Sequence, residues 1–77
     1  MIDKDTKLLK LASHITEVRN TKNLSIHGLA QAAGIEYALM QRIEKGKVNL
    51  QFTTLVAISR GLDMHFDDMI KGLRFSE

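Results

Sequence analysis

The feature that most constrains the fold of this chain is the spacing of four residues, Ala30, Gly34, Met40 and Ile43. Apolar residues recur at intervals of three and four on both sides of the glycine, which predicts two short helices joined by a tight turn. Helices joined by a turn of three or four residues cross at a steep angle, and a small residue such as Ala30 lets their backbones approach. Gly34 tolerates the positive φ that the turn requires. The two helices are therefore expected to form a fixed pair with apolar residues facing inward.

Apolar residues at helical spacing also occur throughout the rest of the chain. No stretch of six residues alternates between apolar and polar, so strands are not predicted. Five helices are predicted, with ends marked by capping residues and glycines: Asp5 and Thr6 at the start of a helix near residues 5–21, Ser25 and Gly34 around the second, Gly46 after the third, Gly61 and Asp63 at the end of the fourth, and Gly72 after the fifth. Loops this short suit a compact all-α domain with one core. The 77 residues predict a single domain over residues 1–77, with a core at about residues 7–71 and short tails.

The composition argues against several function classes. The chain has no Cys, and its three histidines are too far apart in sequence for a metal site. It has no nucleophile motif and no glycine-rich phosphate loop. We therefore predict that the protein is not an enzyme and binds no cofactor and no metal. The longest apolar runs have three or four residues, far fewer than the roughly 20 needed to cross a bilayer, and no signal peptide is visible. The chain is therefore expected in the cytoplasm, away from membranes.

Positive charge is concentrated in the middle of the chain. The net charge is only +2, but residues 19–49 carry five basic and two acidic side chains, a net of +3. This segment contains the predicted helix pair. A positive excess is the direction expected for a surface that meets phosphate, although a solvated face could carry the same charges.

The segment from Ser25 to Gly46 resembles the helix-turn-helix of the Xre/Cro-type family, which includes phage repressors. The resemblance rests on residues at the family's spacing: Leu29, Ala30, Gly34, Ile35, Met40 and the run Arg42-Ile43-Glu44-Lys45-Gly46-Lys47. It extends over roughly residues 10–71. The resemblance implies the compact five-helix fold of lambda repressor-like DNA-binding domains. It also implies a sequence-specific, DNA-binding transcriptional regulator that acts as a homodimer on a near-palindromic operator in double-stranded DNA.

The resemblance further implies which residues meet DNA. Exposed residues at the start of the third helix and one turn further on would read bases in the major groove: Glu36, Tyr37, Ala38, Gln41 and Arg42. Polar residues of the second helix and of the loop before the fourth would contact the DNA backbone: His27, Gln31, Lys45, Lys47, Asn49 and Gln51. For any one of these lysines, a solvated loop charge is an equal alternative.

Two residues depart from the family's pattern. Ile26 stands where the family usually has a glutamine that holds a phosphate, so this contact is lost or taken over by a polar residue further along the second helix. Glu36 stands where Ser or Thr usually caps the third helix; an acid suits a helix N-terminus but repels phosphate. These departures keep an alternative open, namely a protein-interaction module of antitoxin type. Its protein partner would bind the apolar surface around Tyr37 and Leu39, or the tail.

Two further interactions are expected. The resemblance implies an inward ion pair between Arg19 and Glu44 that ties the first helix to the end of the third; the alternative is that both are ordinary surface charges. Apolar residues of the fifth helix and the tail are predicted to form a dimer interface: Phe66, Met69, Ile70, Leu73 and Phe75. The alternative for these residues is that they only close the core of the monomer.

Overall fold

The structure is a computed structural model that describes residues 4–73. It contains five helices: α1 Lys4–Thr21, α2 Ile26–Ala33, α3 Tyr37–Glu44, α4 Phe52–Gly61 and α5 Phe66–Lys71. Residues 4–73 contain no strand, and the prediction of an all-α, five-helix fold is confirmed. None of the helices in this part of the chain combines the length with the apolar character that crossing a bilayer requires.

The helix ends around the turn follow from local chemistry. The hydroxyl oxygen of Ser25 accepts a hydrogen bond of 2.9 Å from the backbone amide three residues on, which satisfies one of the unpaired donors at the start of α2. Gly34 follows α2 with a φ of 70°, as the turn requires. One predicted cap is wrong, because α1 already begins at Lys4, and Asp5 and Thr6 therefore lie inside its first turn. An acid at that position still suits the helix dipole.

All five helices contribute to one hydrophobic core. Its buried members are Ile15, Leu29, Ala30, Met40, Ile43, Ile58, Leu62 and Met69. Burying each of the large side chains contributes about 1.5–3 kcal/mol. Met69 is fully buried, which corrects its place in the predicted dimer interface, because a side chain without exposed area cannot contact a second chain. It belongs to the core of the monomer instead.

α2 and α4 approach each other closely at Gly61. A Cβ atom on this residue would lie 3.0 Å from the backbone nitrogen and 3.1 Å from the Cα of Ala33. The absence of a side chain on Gly61 therefore lets the two helices touch through their backbones. The sequence pattern assigns this glycine only to the end of the fourth helix. In the structure it also allows α2, the first helix of the predicted pair, to pack closely against α4.

A histidine fastens α5 to α1. Nε2 of His14 donates a hydrogen bond of 2.6 Å to the backbone carbonyl of Met69, which is one of the carbonyls in the last turn of α5 that lack a partner within the helix. Gly72 lies against the same ring, since a Cβ atom there would be 2.9 Å from Cε1 of His14. The first and last helices are thus joined by a specific polar contact as well as by the core.

Candidate nucleic-acid interface

α3 turns one face to the core and the other to solvent. Met40 and Ile43 are buried. The residues predicted to read bases lie on the opposite side, where four are exposed and one is half-buried: Glu36, Tyr37, Ala38 and Arg42, and then Gln41. The structure therefore brings this whole predicted set to the outward-facing side of α3 and the turn before it.

The C-terminal end of α3 is held by a buried ion pair. Nε of Arg19 donates to Oε2 of Glu44 at 2.8 Å, and Nη2 donates to Oε1 at 3.0 Å. The two side chains retain only 10% and 5% of their exposure. The hydroxyl of Thr16 donates a further hydrogen bond of 2.8 Å to Oε1 of Glu44. The ion pair that the family resemblance implies is thus present inside the structure rather than on its surface.

The same arginine also reaches the loop before α2. Nη1 of Arg19 donates a hydrogen bond of 2.7 Å to the backbone carbonyl of Leu24. One guanidinium therefore holds α1, the end of α3 and the segment that leads into α2. Neither Thr16 nor Leu24 was predicted from the sequence to contact this pair. Thr16 has a signal, because it precedes Arg19 by three residues on the same helix face, whereas the Leu24 contact is a backbone carbonyl that no side-chain pattern reveals.

The aromatic ring at the start of α3 is held by residues from both helices of the pair. The rings of Tyr37 and His27 have centroids 5.4 Å apart and are tilted by 36°. Nε2 of Gln41 donates a hydrogen bond of 3.1 Å to the hydroxyl oxygen of Tyr37. Tyr37 nevertheless remains 45% exposed. All three residues were predicted for DNA contact, but their contacts with one another were not.

The two departures from the family's pattern have different surroundings. Ile26 is half-buried and packs against the core, so it has neither the exposure nor the polar group that a phosphate contact needs. Glu36 is exposed at the N-terminal end of α3, and its side chain makes no capping hydrogen bond to the helix. Its carboxylate therefore favours the helix start only through the dipole and stays free to accept a hydrogen bond from outside.

The positive excess lies on exposed residues. Arg19 and Glu44 pair inside the structure, so neither charge lies on the surface. Because these two charges cancel, the net charge of residues 19–49 is unchanged and is carried by exposed side chains. The polar residues predicted for the DNA backbone are all exposed, on α2 and between α3 and the start of α4: His27, Gln31, Lys45, Lys47, Asn49 and Gln51. A surface of this charge attracts a polyanion.

Comparison with known proteins identifies a family. The model of the family described as "Cro/C1-type HTH DNA-binding domain" matches residues 14–71 of the chain. No curated protein matches the chain by sequence.

Three solved structures are similar to the chain over most of its length. The restriction-modification controller protein C.AhdI from Aeromonas hydrophila has 24% identity and a TM-score of 0.77, covering 80% of this chain and 94% of that one. The controller protein C.Esp1396I has 24% identity and a TM-score of 0.77, covering 91% of this chain and 96% of that one. At 24% identity, the similarity shows that this chain and the two controllers have the same fold.

An HTH_3 family transcriptional regulator from Vibrio cholerae has 25% identity and a TM-score of 0.82. The aligned region covers 90% of this chain but only 39% of the Vibrio protein. The chain is thus similar to one part of that longer regulator.

Proposed function

The chain belongs to the Cro/C1-type helix-turn-helix family of DNA-binding domains, and from this we propose that it is a sequence-specific transcriptional regulator that binds double-stranded DNA as a homodimer. The observation that carries the proposal is the outward face of α3, which is polar, exposed and held in place by the buried pair of Arg19 and Glu44. The similar protein from Vibrio cholerae is likewise a transcriptional regulator. The proposed role places the chain in the cytoplasm and requires no catalytic chemistry.

α3 would enter the major groove and read it with side chains of different character. Ala38 is exposed and small, so it can pack on a thymine methyl group. Arg42, one turn further on, can donate two hydrogen bonds to the N7 and O6 acceptors of guanine, a contact worth about 1–3 kcal/mol of discrimination. Glu36 would accept a hydrogen bond from a cytosine amino group or keep the helix start away from a phosphate.

The DNA backbone would lie along the exposed polar residues on both sides of α3. Lys45 and Lys47 stand in the loop after α3, and Gln51 stands at the N-terminal end of α4. Lysines neutralise phosphates and release counterions, and a helix N-terminus suits an anion. His27 and Gln31 would serve the same strand from α2, in place of the contact that Ile26 cannot make. This set predicts binding that weakens as the salt concentration rises.

The dimer would form on an apolar surface at α4 and α5. Phe52 is 64% exposed, and its ring meets Phe66 edge-on with centroids 5.0 Å apart. An apolar groove lined by Leu11, Leu55, Ile70 and Leu73 is formed by α1, α4, α5 and the segment that follows α5. Phe75, also predicted for the interface, lies outside the described residues. A two-fold dimer with recognition helices about 34 Å apart would match one turn of DNA.

The alternative function, a protein-interaction module, needs a continuous apolar surface, either at the start of α3 or on the tail, most of which lies outside the described residues. Leu39 is half-buried and packs against the core. Tyr37 is occupied by His27 and by Gln41. Apart from small alanine side chains such as that of Ala38, the residues exposed beside them are polar or charged, which favours nucleic acid over an apolar protein partner.

A gel-shift titration tests the proposal. Small regulators of this kind often bind near their own promoter, so the first probes are fragments that flank the chain's own reading frame. We expect one fragment to be retained at protein concentrations at least tenfold lower than a shuffled fragment of equal composition, in line with the usual gap between specific and non-specific binding. Equal retention of all fragments, or no retention at low salt, would contradict the proposal.

A further inference from the structure

We propose that Gln41 sets the direction of the hydrogen bond between Tyr37 and DNA. Tyr37 then donates its phenolic proton and selects a base with an acceptor in the major groove. The inference rests on the proposed function, because it concerns which base α3 prefers. It gives His27 and Gln41 the role of positioning Tyr37, in addition to the direct DNA contacts proposed for them from the family pattern.

The direction of the hydrogen bond follows from the contact within α3. Nε2 of Gln41 donates to the hydroxyl oxygen of Tyr37 at 3.1 Å. The residues are four apart in an α-helix and therefore neighbours on the same face. An amide nitrogen has hydrogens and cannot accept, so the phenolic proton cannot point toward it. With the amide in this orientation the hydroxyl directs its proton away from Gln41 and can donate it to an incoming base, while one of its lone pairs accepts from Gln41.

The orientation of the ring follows from the contact between the two helices. The ring of His27 lies 5.4 Å from that of Tyr37, centroid to centroid, with a tilt of 36°. His27 belongs to α2 and Tyr37 to α3, so the contact spans the turn. A ring packed on one side and hydrogen-bonded at its hydroxyl has little freedom to rotate. Tyr37 is thus preorganised before DNA binds, which lowers the entropic cost of binding.

The bases differ in what they present to such a donor. In the major groove guanine presents two acceptors, N7 and O6, whereas cytosine presents only the N4 amino donor. Adenine and thymine each present one acceptor. A hydroxyl whose proton faces the base therefore matches guanine best and cytosine worst. We infer that the operator has guanine at the base that Tyr37 contacts, and that cytosine on the same strand is disfavoured there.

The substitution Gln41→Glu reverses the hydrogen bond without removing it. A carboxylate only accepts, so Tyr37 must then donate its proton to residue 41 and can only accept from the base. The preference at that one position should shift from guanine toward adenine or cytosine, which carry amino donors. Tyr37→Phe removes the hydroxyl and should reduce the preference for guanine over cytosine by about fivefold, the usual worth of one hydrogen bond.

A matched pair of variants tests the role of His27. His27→Ala removes the ring and should weaken the base preference at the Tyr37 position. His27→Phe keeps a ring against Tyr37 but has no polar atom for a phosphate, and it should restore the preference. If His27→Phe is as impaired as His27→Ala at every base position alike, His27 is a phosphate contact and not a positioning residue.

The experiment is competition binding of the full chain and these variants to the selected operator and to duplexes with each base pair at each position. Thermal melting of each variant confirms that it is folded. The expected result is a change of preference confined to one base pair, with Gln41→Glu and Tyr37→Phe altering the same position. Parent-like preferences in both variants would overturn this inference while leaving the proposed function intact. A parent chain that binds all duplexes alike would overturn both.

Discussion

Arg19 and Glu44 face each other between α1 and α3 and share two hydrogen bonds, of 2.8 and 3.0 Å. Both side chains are almost completely shielded from water. Removing one partner of a buried pair leaves the other charge without compensation, which costs about 3–5 kcal/mol. Because a domain of this size loses about 4–8 °C of melting temperature per kcal/mol, Glu44→Ala should lower the melting temperature by well over ten degrees.

The control for this prediction is Glu36→Ala, which removes an acid that is exposed and makes no capping hydrogen bond. Its melting temperature should stay within a few degrees of the parent's. Thermal unfolding followed by circular dichroism measures both variants. A decrease in melting temperature of less than about three degrees for Glu44→Ala would mean that the pair contributes little to stability.

Gly61→Ala sets two effects of opposite sign against each other. Alanine favours a helix over glycine by up to about 1 kcal/mol, but its Cβ would sit 3.0 Å from the backbone nitrogen of Ala33. Overpacking of this kind costs about 1–3 kcal/mol, and the contact is with rigid backbone. The variant should therefore melt several degrees lower than the parent, while Arg60→Ala, at the exposed preceding residue, should change little. A rise in melting temperature on Gly61→Ala would show that the helices can separate freely.

The ends of α2 and the inward-facing residues of α3 were predictable because their causes are local, whereas the cap predicted for α1 was wrong. The period of apolar residues places Met40 and Ile43 inward, and glycine readily adopts a positive φ, as at Gly34. The exposed Phe52 was not predictable in this way. It has the right spacing for the apolar stripe of α4, but it is the first residue of that helix, so no preceding turn of α4 covers its ring.

The side-chain contacts that build the site were less accessible to sequence analysis. The pair of Arg19 and Glu44 came only from a family resemblance, since 25 residues separate them. Tyr37 was identified as an exposed residue, but its contact with His27 depends on the angle at which two helices cross. Such contacts depend on how the helices pack, which residue types and spacing do not determine.

Phe52→Ser tests the proposed dimer surface. The side chain is 64% exposed in the monomer, so its loss should cost the fold little, whereas at an interface the loss of a large aromatic side chain typically weakens association by tenfold or more. Sedimentation analysis should show a higher dimer dissociation constant. Leu9→Ser is the matched control, because Leu9 is 57% exposed and lines a different groove, beside Lys45 and Asn49, not the one that belongs to the proposed surface.

Truncation after Gly72 separates the contribution of the tail from that of α4 and α5. If the tail belongs to the interface, removing residues 73–77 should weaken the dimer as Phe52→Ser does. A dimer unchanged by truncation would remove Leu73 and Phe75 from the interface. A dimer unchanged by both changes would contradict the proposed surface as a whole.

The central claim is that α3 reads DNA while the neighbouring loop holds its backbone, and one binding measurement on two variants tests it. Affinities of the parent, Arg42→Ala and Lys47→Ala are measured on the selected operator and its single-base variants over a range of salt concentrations. Arg42→Ala should relax the preference at one base pair, by about 1–3 kcal/mol. Lys47→Ala should weaken binding to all sequences alike and reduce the slope of log affinity against log salt by about one. If both variants bind every duplex as the parent does, or if the parent shows no salt-dependent binding to any DNA, α3 is not a recognition helix.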